Sequence, residues 1–403
     1  MERVINFGCR LNACESEIIQ GFADELGIVD YTIINTCAVT AEAERQLRQK
    51  IRKLHKENPD IKIILTGCAS ELSPDTYLQM DGVVGIISNK NKLSKSEYIK
   101  YGSPENNLDS SVNSKVRGFL QIQNGCDHSC TYCVVRLVRG PSISFDENEI
   151  VQRAQQLLEK GYREIVLTGV NVSSYGQDLS PQKNVSYIIK YLLKQLPELR
   201  RLRLSSLDPA DIDDELIELI TSESRIMPHI HESIQSGDNM ILKRMRRRHS
   251  RESLIETNSK ILAKRPEIIF GADIISGFPT ETDEMFENTK KLLTEAQVSL
   301  LHAFPYSKRP GTPAALMPQV PKKIAVERTA ILRNHIATLL NQKLQQYIGR
   351  DVHVLAETEF DAKTDSFLPV KSLSPMQTGQ EYQLHCANID NNIIVGEING
   401  TSR

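Results

Sequence analysis

Short apolar runs alternate with longer amphipathic stretches through the first 90 residues. Arg3 to Phe7, Tyr31 to Ile34 and Lys62 to Thr66 read as strands, each followed by a helix-like stretch, the pattern of a parallel α/β sheet. After the second strand, Leu47, Ile51 and Leu54 recur at helical spacing, with Thr40 placed as N-cap and Glu42 and Glu44 in the first turn. This leaves Arg45, Arg48 and Arg52 outward, as a solvated basic face or an RNA contact. From Leu93 to Lys115 the chain turns Ser-, Asn- and Lys-rich around Gly102-Ser-Pro104 and reads as a linker. Alternation then resumes with six apolar strands: Gly118 to Gln123, Glu164 to Thr168, Leu202 to Ser206, His229 to Ile234, Gly271 to Ser276 and Leu300 to Tyr306. Helical stretches lie between them, which predicts a parallel (β/α)6 partial barrel. Pro321 to Ile348 predicts a long helix with Ile324, Ile331, Leu332, Leu339, Leu340 and Leu344 as its apolar face. Residues 350 to 403 read as all-β, with alternation from Asp351 to Ala356 and a hairpin turning at Asp390-Asn-Asn392. The organisation expected is an α/β domain over 1–92, a linker over 93–115, the barrel over 116–345 and a small β domain over 346–403.

Composition adds exclusions. The 403 residues are 40% hydrophobic and 25% charged with a net charge of -2, so nothing global demands a polyanionic partner. No apolar run approaches the roughly 18 residues of a membrane span, and Met-Glu-Arg-Val-Ile-Asn-Phe-Gly-Cys has no signal-peptide layout. A cytoplasmic location without membrane association is the expectation. In the β domain, four Lys or Arg (350, 363, 371, 403) face eight Asp or Glu (351, 357, 359, 361, 365, 381, 390, 397). Generic phosphate binding needs the opposite sign, so this domain either grips RNA by shape and a few polar contacts or acts as a structural cap.

The cysteines carry the chemistry. Eight over this length are too few for a disulfide framework. Cys126, Cys130 and Cys133 stand at C-x3-C-x2-C spacing, which can hold three irons of a 4Fe-4S cluster and leave one iron open for a small molecule. A zinc site needs a fourth ligand, and His128 is the nearby candidate. Cys9, Cys37 and Cys68 each follow one of the first three strands, at the carboxyl edge where open α/β sheets place ligands. A second cluster is one reading; coincidence is the other, since cysteine is commonly buried. Cys14 and Cys386 fit neither set and read as inert thiols. Small polar segments cluster at the same edge of the barrel: Thr168 to Asn171, Ser205-Ser206, Gln235 to Gly237 and Ile275 to Pro279. His229, His231 and His302 are given no role.

No acidic residue interrupts Lys243 to Arg251. On one helix, Arg244, Arg247, Arg248 and Arg251 would share a face and could meet a phosphate backbone together, against the alternative of a face turned to water.

The two cysteine sets together resemble the radical S-adenosylmethionine methylthiotransferases over essentially the whole chain. Asn35-Thr-Cys-Ala-Val-Thr40, Leu204-Ser-Ser206, Leu242-Lys-Arg-Met-Arg-Arg-Arg248 and Ala303 to Pro313 resemble the subfamily that modifies N6-threonylcarbamoyladenosine at tRNA position 37. The resemblance implies two 4Fe-4S clusters, S-adenosylmethionine as cofactor, tRNA as substrate, an electron donor and a sulfur source. It implies that the open iron binds S-adenosylmethionine and generates a 5'-deoxyadenosyl radical. The auxiliary cluster at Cys9, Cys37 and Cys68 would carry the sulfur that is methylated and passed to C2 of the adenine. Tyr132 would lie near the cofactor adenine, although packing explains it equally. Asn171, Ser206 and Gln235 are candidate contacts to its methionine carboxylate and ribose, and the tail resembles a TRAM-type barrel. The chain departs from the subfamily pattern at Glu232 and at Arg136-Leu137. Other branches sharing the six cysteines act on isopentenyladenosine in tRNA or on a ribosomal-protein aspartate, and a metal-bearing RNA-binding scaffold is the non-enzymatic alternative.

Overall fold

The computed structural model describes residues 3–102 and 116–401. The stretch 103–115, most of the expected linker, lies outside them. Residues 93–102 are folded: Tyr98 is fully buried beside Ile19 and Ala23, and its hydroxyl donates to Lys92 O at 2.8 Å. Its aromatic ring gives this polar stretch an anchor that composition conceals.

The amino-terminal sheet is parallel, with strands in chain order Val4–Asn6, Tyr31–Thr36, Lys62–Gly67 and Val83–Ile87. The fourth strand escaped the periodicity reading because only Ile87 of its five residues is fully buried. The helix Ala41–Glu57 begins as expected, with Thr40 Oγ1 accepting from Ala43 N and Leu47, Ile51 and Leu54 buried.

Seven parallel strands, the expected third being split in two, form the central partial barrel. Arg117–Gln121, Glu164–Thr168 and Leu202–Leu204 make one sheet; Ser206–Leu207, His229–Gln235, Ile269–Ser276 and Val298–Pro305 make the next. The expected third strand is broken at Ser205, whose N–H turns to Leu167 O at 3.1 Å while Ser206 pairs forward with His231. The expected first strand stops at Gln121, and Gln123–Asn124 instead pairs antiparallel with Ile143–Ser144. That short hairpin brackets the loop carrying Cys126, Cys130 and Cys133.

Long helix Lys322–Leu344 buries Ala325, Arg328, Thr329, Leu332, Ile336 and Leu344; of the expected face Leu332 and Leu344 are buried and Leu339 and Leu340 pack against the core, whereas Ile324 and Ile331 are exposed. In the first turns the buried side instead includes Arg328, which pairs with Glu281 at 2.6 Å.

Five strands from Asp351 to Thr401 close a small barrel, and its final hairpin turns on Asn391 and Asn392, both at positive φ. Its acidic character has a structural use. Buried Glu164, at the amino end of the central barrel, accepts from Arg203 at 2.6 Å, Arg117 at 2.7 Å and Arg201 at 3.0 Å. Asp365 and Glu381 of the small barrel reach Arg201, and Glu357 reaches Arg117. Phe367 sits between these groups, with the Arg203 and Arg117 guanidinium carbons 4.9 and 5.3 Å from its ring centre. Negative charge here docks one domain on another.

Candidate functional site

Each member of the first cysteine set owes its place to a strand end. Cys9 caps the helix Arg10–Glu25, Cys37 follows Thr36, and Cys68 opens the helix Cys68–Leu72. Gly67 makes the last approach possible. At φ +97° a Cβ there would lie 2.4 Å from Thr36 O and 2.5 Å from Thr36 N, so the chain can reach Cys37 only without one. Burial pushes the Cys37 thiol up to about 11 against the opposing N–H of Val39, and Cys9 and Cys68 lie close enough to raise it further.

The second set lies on a loop that a buried glutamine holds. Gln123 Nε2 donates to Asn124 O, Gly125 O and Ser142 Oγ, while its Oε1 accepts from the N–H groups of Val170 and Asn171. Gly125, at φ +70°, has no room for a side chain: a Cβ would stand 1.7 Å from Pro141 O. Donors point at sulfur here, with Val135 N 3.4 Å from Cys133 Sγ and Arg247 Nη1 3.8 Å from Cys130 Sγ. Burial drives Cys133 up to about 12 despite Val135, and Cys130, Cys126 and the distant Cys68 add to it. Arg139, at the end of the short helix that follows Cys133, donates from Nε to Cys68 Sγ at 3.3 Å, so the two sets adjoin.

Cys37 and Cys133, hard to ionise as free thiols and set among N–H donors, suit sulfur whose negative charge a metal would stabilise. Iron–sulfur clusters fit both sets. His128, the alternative zinc ligand, turns instead to Asp208, with Nδ1 to Oδ2 at 3.4 Å. Cys14 is an inert core thiol as expected: buried, donating to Phe119 O at 3.2 Å, and raised to about 12 by burial. Cys386 is buried in the small barrel.

A cleft opens beside Cys133, the one cysteine of the two sets in its lining, with Val39 and Thr40 on one side and Tyr132, Gln235, Asp273, Phe304 and Tyr306 on the other. Tyr132 packs edge-on against Phe278, with ring centres 6.5 Å apart, and Gln235 adopts φ +72°. Asn171 and Ser206 are not in this lining; Asn171 leaves its Nδ2 buried without a partner. Asp273 accepts from His231 Nε2 at 3.1 Å and His302 Nδ1 at 3.3 Å. Burial would raise the Asp273 carboxyl, but the two histidines hold it well below the usual range. Two histidines given no role thus share the aspartate of the cleft wall, a pairing of three strands that no local pattern reveals.

The arginine run needs correction. Asp238 caps a helix that ends at Met245, Arg246 takes a left-handed conformation (φ +58°), and Ser250 caps a new helix from Arg251. Two caps twelve residues apart split the expected single helix, so the four arginines share no helical face. Arg244 donates to Thr280 Oγ1, Arg247 to Ser233 O and Asp208, Arg248 to Asp208 and Asp211, and Arg251 to Asn288 O, Gly237 O and Glu295. Arg247 is 5% exposed and its work is internal. Thr131 ties this segment to the cluster loop through Arg244 O at 2.8 Å and Met245 O at 3.1 Å.

Sequence reasoning also missed Glu15, Lys92 and Arg139, which meet in a buried ion cluster. Burial alone would raise the Glu15 carboxyl, yet the Lys92 and Arg139 charges bring it below its ordinary value. Among the described residues no helix is long and apolar enough to cross a membrane.

Sequence comparison matches residues 120–293 to the Radical SAM superfamily and residues 3–88 to the "Uncharacterized protein family UPF0004". The chain is 48% identical to the threonylcarbamoyladenosine tRNA methylthiotransferase MtaB of Rickettsia prowazekii, over 96% of this chain and 95% of that one. It is 34% identical to the protein of that name from Bacillus subtilis, covering 88% and 84%. A tRNA-2-methylthio-N(6)-dimethylallyladenosine synthase from Bacillus velezensis also matches at 34%, covering 88% and 75%. Among solved structures, the radical S-adenosylmethionine methyltransferase TsrM of Kitasatospora setae superposes with a TM-score of 0.53 at 13% identity, over 78% and 77% of the two chains, a likeness of fold.

Proposed function

This chain belongs to the radical S-adenosylmethionine methylthiotransferase family, and on that premise we infer that it methylthiolates C2 of N6-threonylcarbamoyladenosine at tRNA position 37. The observation that carries the reading is that the two cysteine sets adjoin, joined through Arg139, beside one cleft. Cys126, Cys130 and Cys133 would hold one 4Fe-4S cluster, with an iron left for S-adenosylmethionine, and Cys9, Cys37 and Cys68 the other. When bound, these groups supply a 5'-deoxyadenosyl radical on one side and sulfur on the other.

The protein's part is placement. Gln123 locks the radical loop to the Asn171 turn, so both move as one body. Tyr132 and Gln235 form the wall where the cofactor would lie, and the orphaned amide of Asn171 offers a further donor near that loop. Ser206, at the kink between the two sheets, remains a candidate cofactor contact. Phe304, 41% exposed on the cleft wall, presents a ring face to an unstacked base. Arg136 and Lys308, exposed next to the lining residues Val135 and Ser307, have no carboxylate partner among the described residues and are the cations we assign to the tRNA backbone. Arg248, 45% exposed but paired with Asp208 and Asp211, is a secondary contact. An electron donor and a sulfur source complete the reaction.

Nucleoside mass spectrometry tests this directly. The holoenzyme should convert N6-threonylcarbamoyladenosine in purified tRNA to its 2-methylthio derivative and release deoxyadenosine. Modification of isopentenyladenosine instead would move the substrate to the neighbouring branch. Tetrahedral zinc with no deoxyadenosine would leave only a scaffold.

A further inference from the structure

One buried guanidinium joins the two cysteine sites. Arg139 lies six residues beyond Cys133, in the hairpin-bracketed loop, and its side chain is 3% exposed. Its Nε donates to Cys68 Sγ at 3.3 Å. Nη2 donates to Asn12 Oδ1 at 2.9 Å, the same oxygen that the Cys9 thiol approaches at 3.6 Å. Nη1 donates to Asn124 Oδ1 at 2.9 Å, at the root of the Cys126 loop. Glu15 receives both Nη1 and Nη2, at 2.7 and 3.0 Å, and also pairs with Lys92. The planar fork of arginine is filled, with one arm on the sulfur of one site and another on the Asn124 side chain at the root of the other.

We propose that Arg139 is the positioning residue of the auxiliary cluster, setting its reduction potential through a charge-assisted hydrogen bond to Cys68 while fixing it against the radical loop. A buried cation donating to a ligand sulfur favours the reduced form, which is the more negative by one electron, and so raises the potential. Lys92 and Glu15 are not equivalent to it. Their charges largely offset one another, and neither donates to a ligand sulfur among the described contacts.

The proposal rests on the cluster assignment made above. It is tested in the full chain carrying Cys126→Ala, Cys130→Ala and Cys133→Ala, anaerobically reconstituted with iron and sulfide so that one cluster remains. The midpoint potential is read by electron paramagnetic resonance during redox titration for this parent and for added Arg139→Lys, Arg139→Gln and Glu15→Gln. Potentials should fall in the order parent, Lys, Gln. The Gln form should lose at least tenfold in its preference for the reduced state, about 59 mV for one electron. Glu15→Gln, which removes the ion pair but leaves the sulfur donor, should shift by less than either. If Arg139→Gln does not retain iron, Arg139→Lys against Glu15→Gln decides in the same way. Potentials unchanged in both Arg139 variants, or moved as far by Glu15→Gln, would overturn the proposal. A parent with no iron–sulfur signal would instead overturn the cluster assignment.

Discussion

Replacing Glu232 by glutamine should make this protein more stable, and increasingly so as the pH rises. Glu232 lies in the strand His229–Gln235, fully buried, and accepts from Asn258 Nδ2 at 3.1 Å. Its Oε1 has no partner, and no cation pairs with it among the described residues. Burial pushes its carboxyl up to about 8, with the Asn258 hydrogen bond opposing. In the unfolded chain the same group releases its proton near the ordinary 4.5. Because the folded value is raised, its contribution to stability is fully present below about 4.5 and is lost as pH rises toward 8. Each pH step across that window costs about 1.4 kcal/mol, so the loss is roughly 3 kcal/mol at pH 7 and close to 5 above pH 8. Glutamine matches the shape of the protonated acid and keeps an acceptor for Asn258, but has no proton to lose in either state. The chain contains no Trp, so thermal unfolding is best followed by far-ultraviolet circular dichroism, from pH 5 to 9. The variant should melt within a degree or so of the native chain at pH 5 and on the order of 5 °C higher at pH 8. Parallel melting curves at every pH would refute the reasoning, because they would mean that Glu232 ionises in the fold as freely as outside it.

The other predictions follow from the same geometry. Glu164→Gln leaves three buried guanidinium groups without their shared carboxylate and should cost about 3–5 kcal/mol, read as a lower urea midpoint and easier proteolytic release of the terminal barrel. Burial opposes Glu164 ionisation but Arg203 and Arg117 hold its carboxyl well below the usual range, so its contribution is present above about 4.5 and lost on acidification, a slope the variant should lack. Gly67→Ala forces a Cβ into the Thr36 backbone and should reduce iron from about eight to about four per chain while leaving S-adenosylmethionine cleavage intact; full iron would mean that the Cys37–Cys68 approach is not critical. Joint charge reversal at Arg136 and Lys308 should lower the salt slope of tRNA binding by about 2, whereas Arg251→Glu, which breaks internal contacts to Asn288 and Glu295, should depress melting without altering that slope.

Legibility divided by how local the signal was. The helix with Thr40 as N-cap, the strand Glu164–Thr168 and the Asn391-Asn392 turn each carry their cause within a few neighbouring residues, and each formed as read. The single helix through Arg244 to Arg251 did not, because Asp238 and Ser250 act as caps only when their side chains fold back on the next N–H groups. The burial expected of Ile324 and Ile331 failed where Arg328 turns inward to Glu281, a partner that spacing along the helix cannot reveal.

The sequence by itself determined where the thiols stand: one set is spaced within a single loop, and strand-helix alternation places Cys9, Cys37 and Cys68 at one sheet edge. Tertiary structure alone decided which charges meet those thiols and one another. Arg139 reaches Cys68 across 71 positions of chain, and Glu15 reaches Lys92 across 77. The acidic tail, unsuited in sign to RNA, answers arginines more than 150 positions upstream. Ionic and sulfur contacts of this kind follow from distances between packed surfaces, and sequence separation places no limit on which surfaces meet.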